Sequence, residues 1–405
     1  MGRPVFAGQL LAWSRGALLQ HEPKRALGWL DWSRRLGADP VEREFLTARA
    51  YRKLGEFGRV REHLQRVLDF GGNQSRVRRE EWLALAQSGQ LRQAEPHLSE
   101  LLTRPEGDEP EICEAFVNGF FINHRHADAL NLLEPWIADY PRDPYPHIVR
   151  AKVYAESFSL KDAAINYRRA LELAPKSTVA ALGLADVLSQ QKLPEEALPL
   201  YTAAAKDAKL RDSARLGQAR CQRMLGHVDA ARTILNELQQ DAKPTWDARF
   251  ELGQLEVDSG NYERASELLT QAVEQQPQRA EARYSLAFAL RALDRDAEAE
   301  PHLAFAKQAR SALDRTGRLT DTILAHPRDP APRSELGRIY LTYDVPEKGV
   351  LWLQSALDCD PGWPDAHQAL AEYYAARSAQ NPQFEKLARE HRARAAPNPH
   401  ATPAE

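Results

Sequence analysis

Lys161-Asp162-Ala163-Ala164-Ile165-Asn166-Tyr167 and Glu195-Glu196-Ala197-Leu198-Pro199-Leu200-Tyr201 share one pattern, a small residue followed four positions later by a large ring. The two stretches stand 34 residues apart. The same step from Ala197 reaches Ala231, Ala265 and Ala299, and backwards from Ala163 it reaches Ala129. One step of 35 then leads to Ala94, and further steps of 34 lead to Val60 and Ala26. Four residues after each come Leu30, Leu64, Leu98, Leu133, Tyr167, Tyr201, Leu235, Leu269 and Leu303. Self-similarity at such a period marks an array whose units bury their apolar faces only by stacking on neighbours. Residues four apart share one helix face. The small one lies where two helices cross closely, and the large one fills the space beside the crossing.

Composition supports helix throughout. Alanine, leucine and charged residues dominate, while the β-branched residues favoured in strands are sparse. With 43% hydrophobic and 27% charged residues the chain can bury ample core, which excludes wholesale disorder. Lys+Arg total 54 against 57 Asp+Glu, and a net charge of −3 argues against a dedicated nucleic-acid or membrane-surface binder. No apolar run approaches the ~18–20 residues of a membrane helix, so membrane insertion is not expected. The stretch after Val5 is interrupted by Gln9, Ser14 and Arg15, which makes a poor signal peptide. Cys113, Cys221 and Cys359 lie about a hundred residues or more apart, which fits neither a disulfide framework nor zinc. A cytoplasmic setting is expected, with a periplasmic or membrane-anchored form as the alternative should an N-terminal segment precede Met1.

The spacing resembles the tetratricopeptide (TPR) repeat, in the manner of bacterial chains built only of such repeats. The family's pattern runs W-x2-L-G-x2-Y…A-x3-F…P over 34 residues. Leu336-Gly337-x-x-Tyr340 and Leu252-Gly253 match its first-helix signature, and Pro175, Pro277 and Pro361 fall at its closing proline. First helices depart from it, with Trp usually replaced and Gly often Ala, as at Ala151, Ala185 and Ala287. The resemblance implies an all-α, right-handed α-solenoid of about ten helix hairpins plus a C-terminal cap. It covers residues 7–390, with repeats starting near 7, 41, 75, 110, 144, 178, 212, 246, 280 and 330.

Local signals agree with that register. Leu54-Gly55, Ser88-Gly89, Leu225-Gly226 and Ser259-Gly260-Asn261 read as turns between paired helices. Asp39-Pro40, Asp143-Pro144 and Asp329-Pro330 read as an N-cap with proline just inside the helix. Pro96, Pro199 and Pro301 share one position near the start of second helices, where they are expected not to break them. One step is irregular. From Ala299 the next equivalent residue is Gly349, with Leu353 four later, which leaves sixteen extra residues. The periodic Leu313, Leu319, Ile323 and Leu324 predict a second helix lengthened across 307–325. Residues 364–390 read as a degenerate polar cap, and the Pro/Ala-rich tail 393–405 as disordered.

Candidate chemistry is sparse. His63, His97 and His302 recur with the repeat and therefore read as part of its surface. His124 and His126 form a close pair without a ligand-spaced Cys or carboxylate cluster beside them, so no metal is expected. Asp358-x-Asp360-x-Gly362-x-x-Asp365 lacks the third acidic position and closing Glu of a calcium loop. No phosphate-binding, dinucleotide-binding, zinc-protease or nucleophile-elbow motif occurs. Neither a catalytic residue nor a cofactor is expected, and the chain reads as no enzyme.

What remains is surface. In proteins that this chain resembles, first helices line a concave groove that holds peptides, and repeat positions 2, 5, 6, 9, 12 and 13 face inward. Carried onto this sequence, those positions hold Arg15, Arg49, Arg52, Lys53, Arg76 and Arg79. Residues 1–105 carry 18 Lys+Arg against 12 Asp+Glu, so their charges should repel unless an acidic segment uses them. The helix from Ile112 to Ile122 is apolar nearly all round, with Asn118 and Phe121 inward as an amide and an aromatic anchor. The carboxylate clamp of chaperone-binding relatives needs Lys and Asn at positions 5 and 9, and Phe45/Arg49, Arg79/Leu83, Glu114/Asn118 and Ile148/Lys152 do not supply it. The expected function is a non-catalytic scaffold or adaptor binding a protein or extended, acidic peptide. The alternatives are RNA or polyanion binding by the basic N-terminal face, and the repeat domain of a larger enzyme or envelope assembly factor. Nucleic acid is not the expected partner, because few aromatics interleave with those arginines.

Overall fold

The computed structural model describes residues 3–157, 159–240, 245–379 and 381–395. The chain divides into two compact units, Met1–Asp139 and Tyr140–Glu405. Each is a stack of antiparallel helix hairpins, and among the described residues there is no strand.

In the first unit the hairpins are α1 (Arg3–Leu19) with α2 (Pro23–Arg35), and α3 (Pro40–Lys53) with α4 (Phe57–Asp69). Next comes α5 (Gln74–Gln87), whose partner is broken into α6 (Leu91–Ala94), a 3-10 turn at Glu95–His97 and α7 (Leu98–Thr103). The unit closes with α8 (Glu109–Ile122) and α9 (His126–Asp139). The second unit runs α10 (Tyr145–Glu156), α11 (Leu160–Leu173), α12 (Thr178–Gln190), α13 (Pro194–Ala204), α14 (Arg211–Met224), α15 (Val228–Gln239), α16 (Trp246–Asp258) and α17 (Tyr262–Gln275). It continues through α18 (Ala280–Ala292), α19 (Asp296–Leu313), α20 (Thr316–Ala325), α21 (Pro330–Tyr343), α22 (Pro346–Cys359), α23 (Pro364–Ala376) and α24 (Pro382–Ala395).

The ruler residues form the core. Ala26, Val60, Ala94, Ala129, Ala163, Ala197, Ala231, Ala265 and Ala299 are all buried, and of their large partners only Leu98 and Leu303 keep partial exposure. First-helix glycines make room for those partners. A Cβ on Gly183 would lie 2.3 Å from the Tyr167 ring, and one on Gly217 only 2.2 Å from the Tyr201 ring. Gly253 and Gly337 face Leu269 and Leu353 in the same way, at 2.7 Å. Tyr201 donates its hydroxyl to Asp186 Oδ1 at 2.7 Å, and burial raises the pKa of both groups. Helix starts are capped by Asp39, which accepts from the N–H groups of Val41 and Glu42, and by Asp329, which accepts from Ala331. Turn glycines 55, 89, 226 and 260 adopt positive φ, whereas His21, His124, Lys192 and Asp294 do so without being glycine.

Two local expectations need correction. Pro199 and Pro301 lie inside continuous helices, but at Pro96 the second helix gives way to the 3-10 turn. Pro199 and Pro301 are each the sixth residue of their helix, and Pro96 stands at the same distance from the start of α6 at Leu91. All three lie past the orphan N–H groups of the first turn, so each removes a bond that a continuous helix would otherwise make. The insertion is not one long helix. Helix α19 stops at Leu313, Asp314 and Arg315 turn the chain, and α20 starts afresh at Thr316, beside the poor helix former Gly317. Residues 364–390 fold as a regular hairpin, α23 and α24, around Leu353, Ala366, Leu370, Tyr374 and Ala388. Of the tail, 393–395 belong to α24 and 396–405 lie outside the described residues.

Candidate functional site

In the first unit the inward cations meet carboxylates. Arg49 reaches Asp108 through Nη1 and Nη2, both at 2.9 Å, and Glu80 at 3.2 Å. Arg52 is fully buried, with Nε on Glu80 at 2.5 Å, Nη1 on Gln87 at 2.5 Å and Nη2 on Glu111. Lys53 donates to Glu111 at 3.1 Å and to Glu114, whose carboxylate also meets His21 at 3.4 Å. Arg15 and Arg76 share Glu42, at 3.0 and 2.6 Å, and Arg76 lies over the Phe45 ring. Arg79 donates to the Pro105 carbonyl at 3.0 Å.

These contacts remove the repulsion expected among the cations. Burial alone would favour uncharged Arg49 and Arg52, but Glu80 and Glu111 outweigh it and hold both guanidinium pKa values up. Burial would likewise raise Glu111, yet Lys53, Arg52 and Arg49 hold it well below the usual carboxylate range. Glu114 is lowered against its own burial by Lys53 and His21, and Glu42 by Arg76 and Arg15. Arg49, Arg52 and Lys53 are therefore part of the fold's interior, whereas Arg15 and Arg76 keep much of their side chains in solvent. In α8, Ile112, Cys113, Ala115, Phe116, Val117, Gly119 and Phe120 are buried, while Asn118 and Phe121 are half-buried. The Phe121 ring stacks near His126 at 6.0 Å.

The acidic half of this network was legible. Glu42, Glu80, Glu111 and Glu114 occupy repeat positions 2, 6, 2 and 5, so the ruler that selected the cations selects them too. The recurring histidines serve packing: His63 bonds Glu44 at 2.6 Å, His97 stacks on Trp82 at 3.8 Å, and His302 meets Arg283 at 3.3 Å. Burial pushes the Cys113 thiol up to about 12, which makes it a poor nucleophile. Asp360 caps α22 and accepts from the Gly362 N–H at 2.8 Å, as an ordinary helix junction does.

In the second unit the inward positions are more open. Tyr284 and Phe288, at positions 5 and 9 of α18, are 59% and 49% exposed, and the Phe288 ring meets Tyr262 at 6.3 Å. Beyond α18 the insertion creates a cleft of about 490 Å³ between the end of α19 and α21. Gln308, Ser311 and Arg315 line one wall, and Arg338, Ile339 and Thr342 the other. Arg315 is tied to Glu335 at 3.0 Å, while Arg338 is exposed at position 9.

Residues 182–245 and 250–313 match the tetratricopeptide repeat family model. The chain carries tetratricopeptide repeats. Repeats of this kind serve as protein–protein interaction scaffolds, and the fold is typically non-catalytic. A stretch of 216 residues, 51% of the chain, is 27% identical to cellulose synthase operon protein C of Pseudomonas fluorescens (strain SBW25). The chain spans only 17% of that relative's length. A tetratricopeptide repeat protein from Parabacteroides merdae is similar in structure at 14% identity and a TM-score of 0.42, over 71% of this chain and 100% of that one. A thermophilic TPR protein of Thermus thermophilus is similar at 21% identity and a TM-score of 0.35, over 41% and 91%. Among the described residues no helix is long and apolar enough to cross a membrane.

Proposed function

We propose that the chain is a non-catalytic scaffold that holds an extended segment of another protein against the inward faces of its first helices. The observation that carries this reading is the exposed pair Tyr284 and Phe288. Each stands at a repeat position that faces partners in relatives, and exposed aromatics gain most from being covered. The neighbouring cleft, with Arg338 open to solvent, suits an acidic side chain on the same segment. In the first unit, Arg15, Arg76, Arg79, Asn118 and Phe121 are the groups offered to a partner, with Arg49, Arg52 and Lys53 holding the surface in place. A photocrosslinker in place of Tyr284 tests the reading in cells, with one at the exposed second-helix residue Glu274 as control. We expect the Tyr284 position alone to capture a defined partner, and Phe288→Ala to abolish capture without loss of helicity. Equal capture from both positions, or capture indifferent to Phe288→Ala, would refute it.

RNA binding by the N-terminal face is less well supported, since Arg49, Arg52 and Lys53 are engaged with carboxylates. The likeness to cellulose synthase operon protein C favours a different second reading, in which the chain is a repeat scaffold within a polysaccharide-synthesis assembly. Co-purification of synthase subunits with the crosslinked partner would support it, and a partner outside any such assembly would not.

A further inference from the structure

A helix side that no neighbour covers needs polar groups to face water. Helix α24 has them, with Glu385, Lys386, Arg389 and Glu390 exposed. Helix α1 does not. It packs on α2 and α3, and its opposite side is open, for a Cβ on Gly8 or Gly16 would meet nothing within 4 Å. Between Arg3 and Arg15 this side carries no charge. Val5 and Leu19 are 62% and 61% exposed there, and Trp13 41%.

The apolar patch continues onto α2. Phe6 meets Trp13 edge to face at 6.0 Å, and Trp13 meets Trp29 at 5.8 Å. One turn along α2, Trp32 is 58% exposed. Arg25 lies over Trp29 at 4.7 Å and Arg35 over Trp32 at 5.4 Å. Three of the chain's eight tryptophans fall within residues 1–38, together with six Lys and Arg against two Asp and Glu. The near-neutral balance of the whole chain conceals this local excess.

We propose that the α1–α2 hairpin docks on the surface of an anionic lipid bilayer, lying in its plane. The uncharged side of α1 would enter the boundary between headgroups and acyl chains. The indoles would sit at headgroup depth, and Lys24, Arg25, Arg34 and Arg35 would meet the lipid anions. The pairs of Arg25 with Glu22 and of Arg34 and Arg35 with Asp31 are solvent-exposed and cheap to exchange. Lipid suits the patch better than the alternatives. Nucleic-acid bases need open ring faces, but Arg25 and Arg35 cover Trp29 and Trp32, and Val5 and Leu19 offer a base nothing to pair with. A second copy related by a two-fold axis would bring two cationic rims together.

Flotation of the full chain with vesicles tests this, using phosphatidylcholine alone or with roughly one-quarter phosphatidylglycerol. About tenfold more protein should float with the anionic vesicles, with a blue shift of tryptophan emission and weakening by salt. Arg25→Glu with Arg35→Glu should lower flotation to the neutral-vesicle level. Trp13→Ser with Trp32→Ser should abolish the blue shift, and both variants should keep wild-type helical circular dichroism. Wild-type protein that fails to float on anionic vesicles, or variants that float as wild type does, would overturn the proposal. So would binding to polyuridylate, or self-association, in a chain that ignores vesicles.

Discussion

Arg52 has no exposed surface, and its guanidinium is shared between Glu80, Glu111 and Gln87. Removing one partner of such a group leaves opposite charges buried without compensation, so Arg52→Ala should cost about 3–5 kcal/mol of stability. Arg15→Ala, at a half-exposed pair, should cost under about 1 kcal/mol in the same denaturant titration. Acid acts on the same network. Glu42, Glu44, Glu111 and Glu114 titrate below the ordinary value of 4.5, so the folded first unit binds fewer protons than its unfolded chain there. Their contribution is present above that value and lost as pH falls from about 5 towards 3. Amide exchange measured across this window should report opening of the first unit. The cations of this site could be read from the repeat, but how their charge is answered needed the same ruler applied to acids. Neither composition nor net charge shows that pairing, because it joins residues far apart in sequence.

Helices α14 and α20 contain glycines with opposite roles. In α14, Gly217 lets the Tyr201 ring approach, and Gly217→Ala forces a Cβ to within 2.2 Å of it. The change should lower stability by about 1–3 kcal/mol. Gly317 in α20 meets nothing, so Gly317→Ala should stabilise by roughly 0.5–1 kcal/mol. Thermal unfolding of the two variants should move in opposite directions. The cap hairpin holds a further titration. His367 Nε2 donates to the Pro361 carbonyl at 2.9 Å, which leaves its Nδ1 to accept from His391 Nδ1 at 2.8 Å. Burial, then His367 and Arg394, hold His391 at about 4 against 6.5 for a free imidazole. The unfolded hairpin therefore takes up the proton first, and α24 should lose protection as pH drops from about 6.5 to 4. The existence of these helices was legible in the period. The break at Pro96 and the turn at Asp314–Arg315 were not, because a periodic apolar pattern runs through a local interruption without changing phase.

For the molecule as a whole, stacking predicts two behaviours. In the second unit each hairpin touches chiefly its neighbours, so removing residues 330–405 should leave a shorter, folded stack with less solubility. Loss of all helical circular dichroism on that deletion would contradict it. The first unit is bound differently, since Arg49, Arg52 and Lys53 on α3 pair across α5 with Asp108, Glu111 and Glu114. Hydrogen exchange should therefore show the first unit opening as one body and the second in graded steps.

The same pairing sets an order of events at the ribosome. Glu80 follows Arg52 and Arg49 by 28 and 31 residues, but Asp108, Glu111 and Glu114, which complete the neutralisation of α3, lie 59 to 61 residues downstream of its cations. At ordinary elongation speed they emerge roughly 3–12 s later. Until they emerge, Lys53 lacks both of its acids and Arg49 and Arg52 have only Glu80, so the nascent helix stays partly unneutralised and exposed to whatever polyanion is nearest, including the ribosomal RNA that made it.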